Sequence, residues 1–392
     1  MTQVERTQVL IAGGGPVGLL TALSAARRGL EVIVIERSFR GTPRGHTTLL
    51  HPSSVRLLAE LGLSPLLVRG GQLLDELTVR VNSGTQRLKL PFPALAITQS
   101  LFEETLLKVL RKEEIELRAT CEVTAITPSE ERVEVQVVRR ERLKAATPSA
   151  EERWEQADSS LIQADFVIAA DGHASQVRQA LGIRTAASPT ERYAMFEFQT
   201  NHRPEAELVI SNDLRHLITP LSEERVRCSF QLARDDHGSS NLELLARLLA
   251  ERAPQYEVPR EIHWSSILDF EPMVAEQFGR GRVWLAGDAA HTTSPLGVHS
   301  MNRGLSEASQ LTATIADVSA GWLPLAALQV LGSSQRQDWL ATLSNRVDFE
   351  LLPHAPGWLS AHVQQVVSSL PASGADLEDL LGQLGIERRK RT

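Results

Sequence analysis

The sequence predicts an α/β fold in which a parallel sheet flanked by helices is joined to an antiparallel sheet and to C-terminal helices. Three observations lead to this prediction. The first 36 residues contain a strand, a glycine-rich turn, a helix and a second strand. Residues 185–280 contain several short strand-like runs, and after them the chain returns to one apolar strand followed by helices.

The N-terminal segment has the clearest pattern. The apolar run 8–12 predicts the first strand, and the β-branched run 31–36 predicts the second. Between them, residues 16–28 carry apolar side chains at helical spacing, and Gly29 ends that helix. A strand, a helix and a strand within about 30 residues predict a parallel pair with a right-handed crossover, the start of a Rossmann-like domain.

The remaining elements divide the chain into three parts. We expect one discontinuous domain from residues 1–184 and 281–345, an antiparallel-sheet domain at 185–280, and a helical segment at 346–392. In the first part the pattern predicts helices at 53–61 and 101–112, strands at 114–118, 122–138 and 164–170, and a hairpin tip at 139–160. It then predicts strands at 194–200, 208–210, 216–220, 225–232 and 283–286, and helices near 241–253, 303–319, 333–345, 355–370 and 375–385.

Composition excludes several classes of protein. Forty-one basic and 48 acidic residues are interspersed, so no basic stripe for nucleic acid is present and we expect none as a partner. Cys121 and Cys228 have no metal-ligand spacing, and we expect buried thiols and no metal. No apolar run approaches the roughly 20 residues of a membrane span. We therefore expect a cytoplasmic protein, and the oligomeric state stays open.

The glycine-rich turn has a dinucleotide-binding pattern. Gly13, Gly15 and Gly18 form G-x-G-x-x-G between a predicted strand and a predicted helix. The first glycine allows a tight turn, the second close approach of a pyrophosphate, and the third close helix–sheet packing. Glu36, at the end of the second strand, is placed to accept hydrogen bonds from a ribose. This motif alone leaves NAD and FAD both possible.

A second motif separates those two cofactors. In the segment 281–297, Gly287 and Asp288 follow an apolar strand, where an aspartate can accept hydrogen bonds from a ribityl chain. The segment from Pro295 to Asn302 then leads into a helix whose positive N-terminus could face a flavin. This arrangement favours FAD.

These motifs resemble those of the flavin-dependent aromatic hydroxylases of the para-hydroxybenzoate hydroxylase type, the group A flavoprotein monooxygenases. The resemblance spans about residues 8–345 and depends on four features in the family's order. The features are G-G-G-P-V-G with Glu36-Arg37, I-T-Q-S with Gln99, D-G-H-A-S-Q-V-R at 171–178, and G-D-A-A-H followed by P-L-G and M-N-R-G.

The resemblance implies bound FAD, transiently bound NAD(P)H as reductant, and O₂ and a small molecule as reactants. It makes the discontinuous domain the FAD-binding domain and residues 185–280 the substrate-binding domain. Asp171 has an alternative interpretation, as a structural turn before the next helix. The implied cofactor residues are Gly13, Gly15, Pro16, Val17, Gly18, Glu36 and Arg37 for the ADP half, Arg44, Gln99, Asp171, Gly172, Gly287 and Asp288 for the pyrophosphate and ribityl region, and Pro295, Gly297, Met301 and Asn302 around the ring.

One departure from the family pattern concerns the flavin. Ser300 stands where relatives usually have glycine, so a need for positive φ or for space beside the ring would make serine costly. His216 and His299 are the candidates for proton transfer, because histidine titrates near neutral pH. The candidate substrate wall is formed by Phe196, Phe198, His216 and Pro220, which could equally be plain core.

The resemblance implies a monooxygenase that hydroxylates or epoxidises an aromatic or other electron-rich molecule through a C4a-(hydro)peroxyflavin. Three alternatives are weighed against it. A halogenase is disfavoured, because its tryptophan-rich motif is missing. A flavin oxidase or reductase without oxygen insertion, and a non-enzymatic FAD-binding partner protein, both remain open.

Overall fold

A computed structural model describes residues 4–38, 47–142, 154–234, 236, 238, 240–343 and 349–389. Its strands are β1 Glu5–Ala12, β2 Val32–Glu36, β3 Thr47–Leu50, β4 Gln72–Val81, β5 Gly84–Thr98, β6 Glu116–Ala119, β7 Cys121–Pro128, β8 Val133–Arg142, β9 Trp154–Ala169, β10 Thr185–Ala187, β11 Glu191–Gln199, β12 Glu207–Ser211, β13 Leu214–Pro220, β14 Arg225–Gln231, β15 Ile262–Phe270, β16 Met273–Ala275, β17 Gly279–Arg280, β18 Val283–Leu285, β19 His291–Thr292, β20 Phe349–Leu351 and β21 Ile386–Arg388. Its helices are α1 Pro16–Ala26, α2 Pro52–Glu60, α3 Ser64–Val68, α4 Gln99–Lys112, α5 Gln176–Ala180, α6 Asn241–Arg252, α7 His299–Ser319, α8 Ala326–Leu343, α9 Val363–Ser369 and α10 Ala375–Gln383.

The first sheet contains the predicted βαβ unit. Strand β1 pairs in parallel with β2 on one side and with β9 on the other, and β18 and β6 extend this parallel core. Both faces of β1 are buried: Val9 and Ile11 pack toward α1, whereas Leu10 packs into a second cluster with Val135 and Val167. A strand buried on both faces requires a continuous apolar run, and this is the pattern of residues 8–12.

The second sheet is larger than the sequence indicates. Its order is β15-β11-β14-β13-β12-β4-β5-β3, so three strands from residues 47–98 complete it. The junction is a parallel pair of β12 with β4, in which Leu208 lies opposite Val79. Residues 185–280 therefore supply only five of the eight strands. The sequence interpretation had left 72–98 unassigned, and it could not detect a pairing between segments more than 100 residues apart.

Other differences are local. Strand β8 extends to Arg142 and strand β9 begins at Trp154. The described residues of the expected tip at 139–160 therefore pair as two antiparallel strands of a hairpin. Helices α7 and α8 begin earlier than expected, at His299 and Ala326. The expected helix 355–370 is divided into a 3₁₀ turn, Gly357–Leu359, and α9. No helix within the described ranges combines the length and the apolar character that crossing a bilayer would require.

The C-terminal segment covers the edge of the second sheet. Leu359, Val366 and Leu380 are fully buried in one cluster with Val79 and Leu88 of β4 and β5. Strands β20 and β21 pair antiparallel beside them. The expected separate helical segment therefore packs on the strands that residues 47–98 contribute, and it supports one end of the large sheet.

Candidate active site

The turn after β1 has a geometry that only glycine allows. Gly13 has φ of +109°, and a Cβ on it would overlap the carbonyl oxygen of Ala170. Its backbone N–H donates to Ile35 at 2.8 Å, which fixes the turn against β2. A Cβ on Gly18 would overlap the oxygen of Gly13, so α1 packs directly on the turn. These contacts explain two of the three glycines by sterics alone.

The third glycine faces open space. Gly15 precedes α1 with φ of −74°, and no atom of the described residues lies within 4 Å of a Cβ built on it. No side chain caps the helix there, so the first N–H groups of α1 point outward beside a cavity of about 220 Å³. Glu36 and Arg37 line the same cavity. Glu36 accepts from the N–H of Gly14 at 2.5 Å and of Ser38 at 2.6 Å, and these bonds hold its carboxylate at the end of β2.

The segment after β9 forms the opposite wall of this cavity. Asp171 Oδ2 accepts from the N–H groups of Gln176 at 2.9 Å and Val177 at 3.3 Å, so the carboxylate supports the start of α5. This contact agrees with the structural interpretation of Asp171. Its Oδ1 is buried without a hydrogen-bond partner among the described residues. Gly172 has φ of +83°, and both residues line the cavity.

Arg178 joins this segment to the second motif. Its guanidinium donates to the carbonyl of Ala289 at 2.8 Å and to that of His173 at 2.6 Å. Burial lowers the pKa of Arg178, although Asp171 opposes that shift, and the side chain has little exposure. The arginine of the D-G-x-x-S-x-x-R motif is therefore a crosslink between the turn at 171–173 and the turn at 287–289.

A larger cavity of about 740 Å³ begins at that crosslink. Asp288 lines it from the 3₁₀ turn Gly287–Ala289, where its side chain is exposed to the cavity. Gly287 has φ of +58°, and its Cα lies against Gly304 of α7 and Val17 of α1. This packing brings the start of both helices to one place. Gln99, Pro295 and Met301 line the same cavity.

The loop between Pro295 and Asn302 is tightly held. Val298 has φ of +51°, a strained conformation for a β-branched residue. The Asn302 side chain donates to the carbonyls of Leu49 at 2.9 Å and Val298 at 2.8 Å, and accepts from the His51 N–H at 2.7 Å. His51 Nε2 donates to Gly297 at 2.5 Å. The strain is thus stabilised by a buried hydrogen-bond network.

Ser300 does not carry the backbone cost expected of a residue with positive φ. It lies in the first turn of α7, and its φ is not positive. Its Oγ accepts from the Thr293 N–H at 2.7 Å, which adds a bond within the loop, and its side chain lines the cavity. The concern about backbone strain was wrong, because the glycine-like conformations lie at Gly297 and Val298 instead.

A buried charged cluster supports the cavity from behind. Glu307 bonds His291 Nε2 at 2.6 Å and accepts from Trp339 Nε1 at 2.6 Å. The His291 and Trp339 rings are stacked at 3.9 Å, and Arg303 covers the other ring face at 3.9 Å. Burial raises the pKa of Glu307, but its cationic and hydrogen-bonding neighbours lower the pKa by more, so the net shift is downward. This cluster connects β19, α7 and α8.

The Glu307→Gln variant is expected to lose about 2–4 kcal/mol of unfolding free energy at pH 7, because it removes one charge from a buried, hydrogen-bonded set. Urea unfolding measures this. Glu113→Gln is the matched control: Glu113 pairs with Arg27 at the surface, where an ion pair is worth less than about 1 kcal/mol. Equal losses in the two variants would contradict a structural role for the cluster.

The expected substrate wall needs correction. Phe196, Phe198 and His216 are buried on the face of the second sheet that packs under α6, with Phe230 and Leu245. Pro220 is buried on β13 and does not line the large cavity. Side chains alternate along a strand, and the aromatic positions belong to the core face. His299 is also buried and faces a separate cavity behind α7, so neither proton-transfer candidate reaches the large cavity.

The residues that line the cavity come from the other face of the same strands. The sequence interpretation missed them because it favoured aromatic side chains over the alternate positions. They are Met195, Leu217, Thr219, Arg227, Ser229, Trp264 and Leu268. The signal that could have found them is the two-residue alternation of side chains along a strand. The odd-numbered positions of β11, β13 and β14 mix apolar, hydroxyl and charged residues.

The structure places most predicted cofactor residues along two cavities or in the backbone beside them. Gly13, Gly15, Glu36, Arg37, Asp171 and Gly172 line the small cavity; Gln99, Asp288, Pro295 and Met301 line the large one; Pro16, Val17, Gly18, Gly287, Gly297 and Asn302 form the backbone between and beneath them. Arg44 lies outside the described residues. Within the described part, no group of three or more His, Cys, Asp or Glu side chains could hold a metal ion.

These residues fit a dinucleotide joined to a flat ring system. Free N–H groups at the start of α1 suit a diphosphate, and Cβ atoms at Gly13 or Gly18 would destroy the turn that presents them. Carboxylates at Glu36 and Asp288 suit the hydroxyls of a ribose and of a ribityl chain. The large cavity has space for a ring between loop 295–302 and the second sheet. Fold and site together define a flavin-dinucleotide protein.

Comparison with known proteins specifies the family. The family model described as an FAD binding domain matches residues 6–336, and the chain belongs to that family. The chain is similar to 6-methylpretetramide 4-monooxygenase of Streptomyces rimosus, with 26% identity over 81% of this chain and 57% of that protein. Rifampicin monooxygenase of Streptomyces venezuelae is 24% identical over 89% of this chain and 72% of that protein. The chain thus spans little more than half of the first relative.

Solved structures show the same fold. p-Nitrophenol 4-monooxygenase from Pseudomonas putida superimposes with a TM-score of 0.72 at 20% identity, covering 97% of both chains. The anhydrotetracycline hydroxylase of Streptomyces rimosus superimposes with a TM-score of 0.67 at 23% identity, covering 93% of this chain and 70% of that one. The α/β architecture predicted from the sequence is confirmed, and so is FAD as cofactor.

Proposed function

We propose that the protein is an FAD-dependent monooxygenase that uses NAD(P)H and O₂ to hydroxylate an aromatic or similarly electron-rich small molecule. The observation that carries the proposal is the 740 Å³ cavity, which lies between the loop 292–301 and one face of the second sheet. A ring at the loop and a substrate on the sheet would meet inside the protein. The two relatives named above are both monooxygenases, and their names support this choice.

The cofactor assignments follow the two cavities. We assign the ADP half of FAD to Gly13, Gly15 and the start of α1, with Glu36 and Arg37 at the ribose end. Gln99, Asp171, Gly172 and Asp288 would hold the diphosphate and ribityl portion, with Arg44 assigned by family resemblance alone. The loop residues Pro295, Gly297, Met301 and Asn302 would border the ring.

The chain's own contribution is orientation and exclusion of water. FAD, when bound, supplies the electron transfer from NAD(P)H and the activation of O₂. Asn302 and His51 hold the loop in a strained shape, so the site is built before the substrate arrives. Met195, Leu217 and Phe270 give the substrate side of the cavity an apolar section. We assign no side chain as general acid or base, since His216 and His299 do not face the cavity.

The test is oxygen transfer. Purified yellow protein is mixed with NADH or NADPH and a panel of aromatic molecules under ¹⁸O₂, and products are analysed by mass spectrometry. One ¹⁸O atom per product molecule is expected. Flavin reduction with H₂O₂ but no labelled product would support an oxidase or reductase instead. No reduction under any condition would support a non-enzymatic FAD-binding protein.

The two buried thiols, Cys121 and Cys228, are consistent with the cytoplasm as the compartment.

The Asp288→Leu variant is expected to bind FAD about 10- to 100-fold more weakly, because a charged acceptor of hydroxyl hydrogen bonds is lost. Titration of apoprotein with FAD, followed by flavin fluorescence, measures the dissociation constant. Asp75→Leu, an exposed change on β4, is the control and leaves binding unchanged. An unaltered FAD affinity in the Asp288 variant would remove this residue from the cofactor site.

A further inference from the structure

The wall of the large cavity on the second sheet is arranged in cross-strand rows. Tyr193 lies opposite Gln231 and Leu268; two residues further on, Met195 lies opposite Ser229. Two residues beyond that, Glu197 lies opposite Arg227 and Trp264, and Arg227 lies opposite Thr219. The first row combines the Tyr193 ring and Leu268 with the polar Gln231, the second row is mixed, and the third row is charged.

The Tyr193 row lies nearest the loop that borders the ring. Tyr193 packs in one buried cluster with Leu217 and with Leu296 of that loop, and Phe270 packs against the cluster. The charged row is four residues away along β11, which corresponds to about 13 Å at the rise of an antiparallel strand. One six-membered ring is much shorter than this distance.

Arg227 presents a buried cation to the cavity. Arg227 is 7% exposed, and its guanidinium lies 4.7 Å from the centre of the Trp264 ring. The side chains of Arg227 and Trp264 both line the cavity. Glu197 is 3.7 Å from the Arg227 Nε and 3.9 Å from Arg225, so this carboxylate is shared by two guanidinium groups. Burial lowers the pKa of Arg227 to about 10, which leaves it protonated at neutral pH.

Acidic side chains stand elsewhere on the cavity wall. Asp269 and Glu271 line it beside the Tyr193 row, but both are exposed, and Asp269 lies 3.7 Å from Arg192. Arg227 is buried, so solvent screens its charge less, and an anionic substituent would be attracted there. Trp264 and the hydroxyls of Thr219 and Ser229 add a stacking surface and hydrogen-bonding groups beside the cation.

We propose that the substrate is an elongated aromatic molecule of two or more rings, with an acidic oxygen substituent that Arg227 and Trp264 bind at the end remote from the reacting carbon. The proposal depends on the proposed function for the position of the reacting end. Arg227 is then a specificity-determining residue. A simple one-ring phenol bound at the reacting end would be too short to reach Arg227, which would keep its pairing with Glu197.

The test uses anthraquinone-2-carboxylate as an elongated anion, anthraquinone-2-carboxamide as its neutral analogue, and 4-hydroxybenzoate as a one-ring anion. Binding to the FAD-loaded protein is measured by perturbation of the flavin spectrum, without turnover. The three-ring anion is expected to bind about tenfold or more tightly than either comparison molecule. Arg227→Gln is expected to weaken it about 10- to 100-fold and to change the carboxamide less than threefold.

Two further variants make the result specific. Arg225→Gln removes the exposed guanidinium that shares Glu197 but does not line the cavity, and it is expected to leave binding unchanged. Arg227→Lys keeps the charge and is expected to recover part of the affinity, with flavin content and melting temperature confirming that each variant folds. Tighter binding of 4-hydroxybenzoate, or equal effects of Arg225→Gln and Arg227→Gln, would overturn the proposal. Binding as expected by a protein that gives no ¹⁸O-labelled product with any aromatic of the turnover panel would contradict the monooxygenase assignment alone.

Discussion

The free energy of unfolding is expected to fall steeply once the pH drops below about 6.5, the ordinary pKa of histidine. Burial lowers the pKa of His51, of His216 to about 3, and of His299 to about 4. The unfolded chain therefore binds protons in this range that the folded chain does not, and stability is lost as the pH falls. Three such groups would lower the free energy of unfolding by about 4 kcal/mol for each pH unit. This is enough to unfold an ordinary domain within about two to three pH units.

Urea unfolding at several pH values between 5 and 8 measures this slope. A slope approaching three protons below pH 6 is expected. His216→Phe is the informative variant, since His216 lies against Phe230 and neither of its ring nitrogens has a hydrogen-bond partner among the described residues. It should remove about one proton from the slope. His263→Gln, an exposed change, should not alter it. A wild-type slope below one proton would contradict the prediction.

The Gly15→Ala variant is expected to lose most of its FAD while the apoprotein keeps its stability. Alanine can adopt the φ of −74° at this position, and the added methyl group meets no atom of the described residues within 4 Å. It would instead occupy space beside the N–H groups of α1 where a diphosphate must approach closely. Overpacking of about 1–3 kcal/mol corresponds to roughly a 10- to 100-fold weaker FAD complex.

Two other glycine variants separate binding from folding. Gly13→Ala combines an unfavourable φ with overlap of the Ala170 carbonyl, so the fold itself should lose more than about 3 kcal/mol. Gly382→Ala, in α10 and with nothing within 4 Å in the described structure, should leave FAD binding unchanged and raise stability slightly. Melting temperatures of the apoproteins and FAD titrations distinguish the three. A thermally destabilised Gly15→Ala apoprotein would show that Gly15 is structural.

Local patterns were sufficient for the βαβ unit of the first sheet. Residues 8–36 have a continuous apolar strand, a glycine turn and a buried apolar helix, each of which is decided by neighbours in sequence. The grouping of Gly13, Asp171 and Asp288 beside the two cavities was equally accessible, because all three follow the ends of parallel strands, which meet at one edge of the sheet. The chemistry of those positions appears in short motifs.

The substrate side could not be predicted in the same way. The face of β11 that meets the cavity depends on where α6 packs, and this is determined by tertiary packing. Phe196 and Phe198 are apolar enough for either face, whereas Arg227 appears from sequence alone to be a surface residue. The role of His51 was also hidden, since its contacts with Gly297 and Asn302 join segments about 250 residues apart.

The parallel pair of β4 with β12 has a consequence for synthesis on the ribosome. The edge of β4 emerges long before its neighbour β12, and the intervening chain must first build most of the other sheet. An unpaired edge attracts other extended chains. Newly made protein should therefore be prone to aggregate during elongation. Chaperones that cover nascent strands should raise its yield.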